Sequence, residues 1–332
     1  MSSPKHPTRI AIIGAGVIGL LLAQGLQKHG YTVTIYEKQP DITSNVPEWT
    51  MILHWAWPVI SRMLPDDLLS DIHTAFGDPF YGYDIPFYNA VTGKLMVKIP
   101  AECRRMSRTR MRGLCLRGLD VRWGVGVGGM EVVGEDEPVR VYLGNEGQQQ
   151  TEEADVVIGA DGPGSFVRRW LFGGRRDVAD AKNSTVAIAN GLVRYDNEKL
   201  AERLREGSRV CLVATMPGRT FVSAVPWDGR KGRVTLAGNA AHALLPARGQ
   251  GLSRVLTNVD SLLSLFIDVK DSKLGLKDVI GRYDQELFRR GRKAALGSLE
   301  DAKDFMRTEG FETGLRERQR RGSRGLRMND NV

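Results

Sequence analysis

Three glycines carry the first chemistry visible in this chain. Gly14, Gly16 and Gly19 fall in GAGVIG, a GxGxxG pattern that follows an apolar, strand-type run at residues 9–13 and leads into helically spaced apolar residues at 17–28. Each glycine has a physical task in that setting. The first permits a tight turn, the second lets backbone approach a pyrophosphate, and the third lets helix and strand pack closely. The start of the helix offers unpaired N–H groups and a partial positive charge to a phosphate. A second strand is expected at 32–36, and Glu37 stands at its end, eighteen residues past Gly19. A carboxylate there accepts both ribose hydroxyls of an adenosine and repels a 2′-phosphate. Strand, glycine turn, helix, strand and terminal acid together read as an adenine-dinucleotide site. They do not separate FAD from NAD.

Two further motifs follow the same logic. Residues 155–169, DVVIGADGPGSFVRR, are an apolar strand, a turn holding Asp161 and Gly162, and a helix start. Residues 233–252, RVTLAGNAAHALLPARGQGL, again bring a strand to a polar turn at Gly238 and Asn239. A glycine-bounded loop (Gly249, Gln250, Gly251, Leu252) then opens a long helix. Such a loop presents backbone N–H groups to an anionic group. His242 reads as a support of its turn. No nucleophile elbow of the G-x-S-x-G kind occurs, so no catalytic triad is expected and the catalytic residues stay unassigned.

The elements that must position these motifs alternate between periods of two and 3.6. Residues 50–64 read as a helix stopped by Pro65, with Asp66 as N-cap of a helix over 67–75. Strands at 83–88 and 94–99 flank Thr92-Gly93 as a hairpin, and 106–117 reads as helical. Short strands are expected at 120–123, 129–133, 139–143, 155–159, 185–193, 209–215, 220–225 and 234–237, with helices over 252–269 and 276–304. Helices around a β-rich middle imply an α/β fold with an inserted second sheet.

Composition bounds the function. The chain has 332 residues, 42% hydrophobic and 26% charged, an ordinary globular balance. Three cysteines (Cys103, Cys115, Cys211) are odd in number and lack metal spacing. That excludes a disulfide scaffold and a zinc module, leaves no metal site expected, and points to a reducing, cytoplasmic setting. The apolar run at 17–22 is far shorter than the roughly 20 residues of a membrane span, so no transmembrane segment is expected. The net charge is +8, and residues 316–327 hold six Arg against one Glu. Without aromatic residues to stack on bases, this reads as a solvated tail rather than a nucleic-acid site. Residues 1–7 and 316–332 are expected to be disordered.

The ordered set of GxGxxG with a terminal Glu, GADGxxSxVR, and the strand–turn–GQG segment resembles the group A flavoprotein monooxygenases. These are FAD-dependent aromatic-ring hydroxylases with the p-hydroxybenzoate-hydroxylase fold. The segment WTMILHWAW at 49–57 and the hairpin at 89–93 resemble a fungal branch of that family. The resemblance implies a Rossmann-like FAD-binding domain over 8–80, 101–183 and 232–305, with an inserted, truncated, mainly β substrate domain over 81–100 and 184–231. It implies that Gly14, Gly16 and Gly19 contact the pyrophosphate, with Glu37 and Lys38 at the adenosine ribose. Arg108 would approach the flavin phosphate and ribityl chain. Asp161 and Gly162 would handle FAD and NAD(P)H, while Gly238 and position 239 face the ribityl chain. Gly249, Gln250, Gly251 and Leu252 would line the isoalloxazine. The implied partners are NADPH or NADH, O2 and a small aromatic or polyketide-like substrate, hydroxylated or epoxidised through a flavin C4a-hydroperoxide.

Four departures stand against that pattern. Asn239 occupies the place of the ribityl-binding Asp, Ser253 that of an Asn, and Asn258 that of an Asp in the following helix. Residues 221–228 also run almost directly into Arg233, where the family spends several tens of residues roofing the substrate. A flavin left open to water loses its hydroperoxide as hydrogen peroxide. A repurposed FAD-binding homologue with uncoupled or no redox activity is therefore the alternative reading.

Overall fold

The fold rests on a parallel sheet whose central strands are buried on both faces. In the computed structural model, the described residues are 8–44, 50–77, 85–89, 94–99, 103–134, 137–144, 150–180, 182–183, 196–207, 213–215, 221–222, 226–242, 251–271 and 274–306. The chain begins with β1 (Arg9–Ile13), α1 (Val17–Lys28) and β2 (Thr32–Glu37). It continues through β3 (Thr50–Leu53), α2 (Trp57–Met63), α3 (Asp66–Ser70) and a 3-10 turn at Ile72–Ala75. Strands β4 (Ile85–Asn89), β5 (Leu95–Ile99) and β6 (Arg104–Ser107) precede α4 (Arg108–Leu116) and β7 (Asp120–Trp123). Then come β8 (Val127–Val132), β9 (Val139–Leu143), β10 (Gln150–Ala154) and β11 (Val156–Gly159). Helices α5 (Phe166–Leu171) and α6 (Arg176–Ala179), strand β12 (Lys182–Asn183) and helix α7 (Glu198–Gly207) follow. The chain proceeds through β13 (Val213–Thr215), β14 (Phe221–Val222), β15 (Val234–Leu236), a 3-10 turn at Gly238–Ala240, α8 (Gly251–Lys270) and α9 (Leu276–Met306).

The main sheet has the order β15-β11-β1-β2-β7 with every pair parallel. Parallel strands are covered on both faces and so read as apolar runs, and β1, β11 and β15 do. β1 leads to β2 on one side and lies against β11 on the other. The strand order reverses there, and a crevice opens at the carboxyl ends of such strands. Helices α1, α8 and α9 cover one face. Buried Leu20, Leu21, Leu256, Leu263 and Phe266 make that layer. A three-stranded antiparallel meander, β10-β9-β8, adjoins α5. A second small sheet orders β13-β4-β5.

Several expectations change on contact with the coordinates. Residues 50–53 are a strand rather than the start of a helix, because β3 pairs antiparallel with β6 from Thr50↔Ser107 to Leu53↔Arg104. The helix expected over 106–117 therefore starts only at Arg108, after Ser107, whose hydroxyl accepts the Arg110 N–H. The expected helix over 67–75 is two pieces, with Pro65 rather than Asp66 at its N-cap and no side-chain cap bond. Helix α7 and strand β10 go beyond the expected elements: β10 is a polar segment (QTEEA), and α7 is a short, charge-rich helix with only Leu200, Ala201 and Leu204 apolar. The strand expected at 185–193, the Thr92-Gly93 turn and both tails lie outside the described residues.

Buried polar groups tie the layers together. Gln24 donates from its amide to the carbonyls of Cys115 and Arg117, closing the end of α4 where helix carbonyls lack partners. The Tyr283 hydroxyl donates to Leu236 O, docking α9 on β15. The turn ahead of β15 carries Arg230 and Lys231 at φ 48° and 60°, the only non-glycine residues with positive φ among those described. Each costs roughly 1–2 kcal/mol relative to an ordinary conformation. Glycine is required beside them. A Cβ at Gly232 (φ 73°) would fall 2.5 Å from Lys277 Cα, and one at Gly229 2.6 Å from Asp284 Oδ2.

Asp284 accepts the Thr235 hydroxyl at 2.5 Å. Burial pushes its carboxyl up to about 7, against the lowering effect of that hydrogen bond. A raised carboxyl binds a proton in the folded state that the unfolded chain releases. Its stabilising contribution is complete below pH 3.8 and is lost as the pH rises through 7, at about 1.4 kcal/mol per pH unit. Asp284→Asn should therefore raise the thermal midpoint at pH 8 and leave it nearly unchanged at pH 4. A midpoint that falls equally at both pH values would contradict this assignment.

Candidate active site

The crevice is built by glycines that leave no room for anything else. Gly14 has φ 108°, and a Cβ there would fall 2.7 Å from Ala160 O and 2.8 Å from Asp161 Cα. A Cβ on Gly19 would overlap Gly14 O and lie 3.4 Å from Ala160 Cβ. Gly238 (φ 64°) packs against α1, its Cβ position 3.2 Å from Ile18 Cγ2. The turns after β1 and β11 thus meet backbone to backbone at one end of the sheet, and the turn after β15 packs on the Ile18 side chain of α1. Gly16, Gly162 and Gly251 differ. A Cβ on any of them would meet no atom within 4 Å among the described residues.

Glu37 holds the first turn. Its Oε2 accepts the Ala15 N–H at 2.8 Å and its Oε1 the Gln39 N–H at 3.0 Å. Each oxygen keeps a second lone pair for a further donor. Lys38 beside it is exposed. Arg112, which the sequence reading passed over, is 2% exposed. It donates from Nε to Ala15 O at 3.0 Å and from Nη1 to Ile42 O at 3.0 Å. Burial lowers its pKa while the Glu37 charge raises it. Arg108 lies four residues earlier, at the start of α4, partly buried. The basic run at 104–112 is therefore divided among separate tasks. Arg104 lies over the rings of Trp57 and Phe76, at 5.1 and 4.8 Å, and Arg105 donates to Thr50 Oγ1 at 2.5 Å.

Asp161 and Arg168 organise the second turn. Asp161 Oδ2 accepts the N–H groups of Phe166 at 2.6 Å and Val167 at 3.3 Å, while its buried Oδ1 has no hydrogen-bond partner among the described residues. Burial raises its pKa, and hydrogen bonds from Ser165 and the helix start lower it. Arg168 is 1% exposed. Its guanidinium donates to Ala179 O at 2.5 Å, Pro163 O at 2.6 Å, Ala240 O at 2.8 Å and Asn239 O at 3.5 Å. One side chain thereby fastens the turn of the second motif to the turn of the third. Burial lowers its pKa, and the charges of Asp161 and Asp180 raise it.

The third motif is described up to His242 and again from Gly251, so Gly249 and Gln250 lie outside the described residues. Gly238 is buried, Asn239 is exposed, and Leu252 packs partly buried against the core. The two substituted helix positions each have a structural use. The Ser253 hydroxyl accepts the His54 N–H at 3.0 Å, fastening the 50–57 segment to the start of α8. Asn258 lies 3.3 Å from His242 Nε2 through its amide nitrogen. Burial and the nearby Arg254 and Arg290 push His242 down to about 4, so it is neutral at pH 7. Its Nε2 then accepts from the amide and the proton sits on Nδ1. That confirms a supporting position for His242 inside the turn.

The sequence profile of NAD(P)-binding Rossmann-like domains matches residues 12–55. The FAD-dependent monooxygenase phnB of Penicillium herquei is 26% identical over an alignment covering 91% of this chain and 92% of the relative. The FAD-dependent monooxygenase cctM of Talaromyces islandicus is 25% identical, covering 93% and 97%. The chain is similar over nearly its whole length to fungal FAD-dependent monooxygenases. Its fold is that of 2,6-dihydroxypyridine-3-hydroxylase from Arthrobacter nicotinovorans, with TM-score 0.62, 17% identity and coverage of 91% and 93%. Klebsiella pneumoniae HpxO, solved with FAD and uric acid, superposes with TM-score 0.64 at 16% identity, covering 94% and 92%. No described helix is long and apolar enough to cross a membrane. No cluster of three or more His, Cys, Asp or Glu among the described residues could hold a metal ion.

The staple predicts its own failure. Arg168→Met removes the links to Pro163, Ala179 and Ala240 and leaves Asp161 with a weakened counter-charge. The expected loss in urea unfolding is about 3–5 kcal/mol, the usual effect of breaking a buried charged network. Arg168→Lys should recover little, since an ammonium lacks the planar fork. A loss below about 1 kcal/mol, the scale of one ordinary hydrogen bond, would show that the turns hold together without it.

Proposed function

We propose that this chain binds FAD extended along the crevice and uses NADPH or NADH with O2 to hydroxylate or epoxidise a small aromatic or polyketide-like molecule. The observation that carries the reading is the meeting of the three glycine turns. Gly14 is backed by Ala160 and Asp161, Gly238 by Ile18, and a Cβ on Gly16, Gly162 or Gly251 would meet no atom within 4 Å among the described residues. The residues suit the cofactor. The N-terminus of α1 and the bare Gly16 receive the pyrophosphate. The free lone pairs of Glu37 receive the ribose hydroxyls. The unpartnered Oδ1 of Asp161 is a buried acceptor awaiting a donor. The side chain of Asn239 is exposed and accepts a ribityl hydroxyl, with Arg108, Gly249, Gln250 and Leu252 completing the ring end.

Residues 8–80, 101–183 and 232–305 form the cofactor domain in this reading, and 81–100 with 184–231 cover the substrate. When bound, the flavin supplies the redox chemistry and the activation of oxygen. The protein orients the substrate, supplies dipoles near the ring and excludes water. Cys103 and Cys115, buried and in no disulfide, suit a cytoplasmic enzyme. A small molecule, not nucleic acid, is the partner.

A second reading draws on the shortness of the chain. The alignment with the Penicillium herquei relative spans 381 positions yet uses 91% of 332 residues, so the relative carries segments this chain lacks. A thinner roof over the flavin favours uncoupled oxidase activity. Following NADPH oxidation together with peroxide release separates the two. Stoichiometric peroxide with every substrate tried supports the oxidase.

Fluorescence titration with FAD tests the site itself. Gly16→Ala has room for its Cβ and an ordinary φ of −73°, so it should keep the parent's thermal midpoint while weakening FAD at least tenfold. Gly19→Ala should instead lose the fold. Asn239→Asp should tighten FAD about tenfold, the gain of a charge-assisted over a neutral hydrogen bond. A protein that stays colourless after FAD addition would overturn the proposal.

A further inference from the structure

A second cavity lies away from the crevice, between α5, the edge of the meander and the turn before β15. It measures about 610 Å³, within the range of small-molecule sites, and none of the predicted cofactor residues lines it. Its walls are of two kinds. Phe166, Trp170 and Val132 give an apolar, partly aromatic floor, and Arg169, Arg176 and Arg230 stand at its edge, with no acidic residue in the lining.

The three guanidinium groups are not equivalent. Arg169 is committed, its Nε donating to Asp180 Oδ1 at 2.6 Å. Arg176 is exposed, and its charge reaches Asp180, the partner of Arg169. Arg230 is held in place from several directions. Its N–H donates to Asp228 Oδ1 at 2.9 Å, its Nη2 to Leu171 O at 2.9 Å, and its guanidinium lies 5.4 Å above the Trp170 ring. Asp228 approaches Nη1 at 3.6 Å from the solvent side, with 72% of its side chain exposed. Glycine or asparagine is the ordinary occupant of a residue at φ 48°. Here an arginine takes it and returns its side chain over an indole at the cavity.

We propose that this cavity is a second small-molecule site, for a planar aromatic ring carrying an anionic group such as a carboxylate. The ring lies against Phe166 and Trp170 and the anion between Arg176 and Arg230. Planar guanidinium groups pair bidentately with such an anion, and aromatic walls select a flat partner. Occupation of this cavity does not depend on what the crevice holds.

The probe is 2-naphthoate, titrated by calorimetry into the full chain with and without saturating FAD. Saturable one-to-one binding is expected in both states, weakening as NaCl is raised to about 0.5 M, as charge pairing requires. Arg176→Gln, on the exposed edge, and Arg230→Gly should each weaken binding at least tenfold. Lys231→Gly relieves the same backbone conformation one residue on and should bind as the parent does. Absence of saturable binding would overturn the proposal. So would equal affinity in Arg176→Gln, Arg230→Gly and the parent, or displacement of the naphthoate by FAD.

Discussion

The buried guanidinium of Arg168 is the interaction on which the crevice depends. It spans from the carbonyl of Pro163 to those of Asn239 and Ala240, joining two turns separated by about seventy residues of chain. Without that bridge, β11 and β15 would still pair, and the Ala237 N–H would still donate to Gly159 O, but no side chain would tie Pro163 to Asn239 and Ala240. The glycines add the second constraint. Gly14 presses its backbone on the Ala160–Asp161 turn, Gly19 seats α1 on the Gly14 carbonyl, and Gly238 packs against the Ile18 side chain.

Burying a positive charge so deeply requires compensation, and the surroundings supply it. Asp161 and Asp180 both favour the charged form of Arg168. Asp161 in turn accepts N–H groups at the start of α5, where the helix end carries partial positive charge. The rest of the third turn is held neutral. His242 is pushed down to about 4, and its partner is the amide of Asn258 rather than a carboxylate. Charge near the crevice is thus concentrated in Glu37 with Arg112 and in Asp161 with Arg168. In each case the acid favours the charged form of an arginine whose own hydrogen bonds go to backbone carbonyls.

Much of this was legible in the residues. The glycine patterns and the acid at position 37 follow from backbone geometry that few sequences satisfy by chance, and β1, α1, β2 and β11 lie where apolar periodicity set them. What escaped had a physical reason each time. Residues 50–53 have apolar spacing compatible with a helix, and only pairing with residues 104–107, half a hundred positions away, makes them a strand. Arg112 looked like one more basic residue in a run, because its burial comes from the Ala15 and Ile42 carbonyls brought by distant loops. Arg168 was visible as a motif letter, but its reach to Ala240 belongs to tertiary structure.

Hydrogen–deuterium exchange of the full chain, with and without FAD, tests the central claim most directly. If the three turns form one crevice joined through Arg168, added FAD slows exchange together in peptides covering residues 14–20, 160–168 and 236–253. Protection confined to residues 14–20, with the other two segments exchanging as before, would show that the turns do not act as one site.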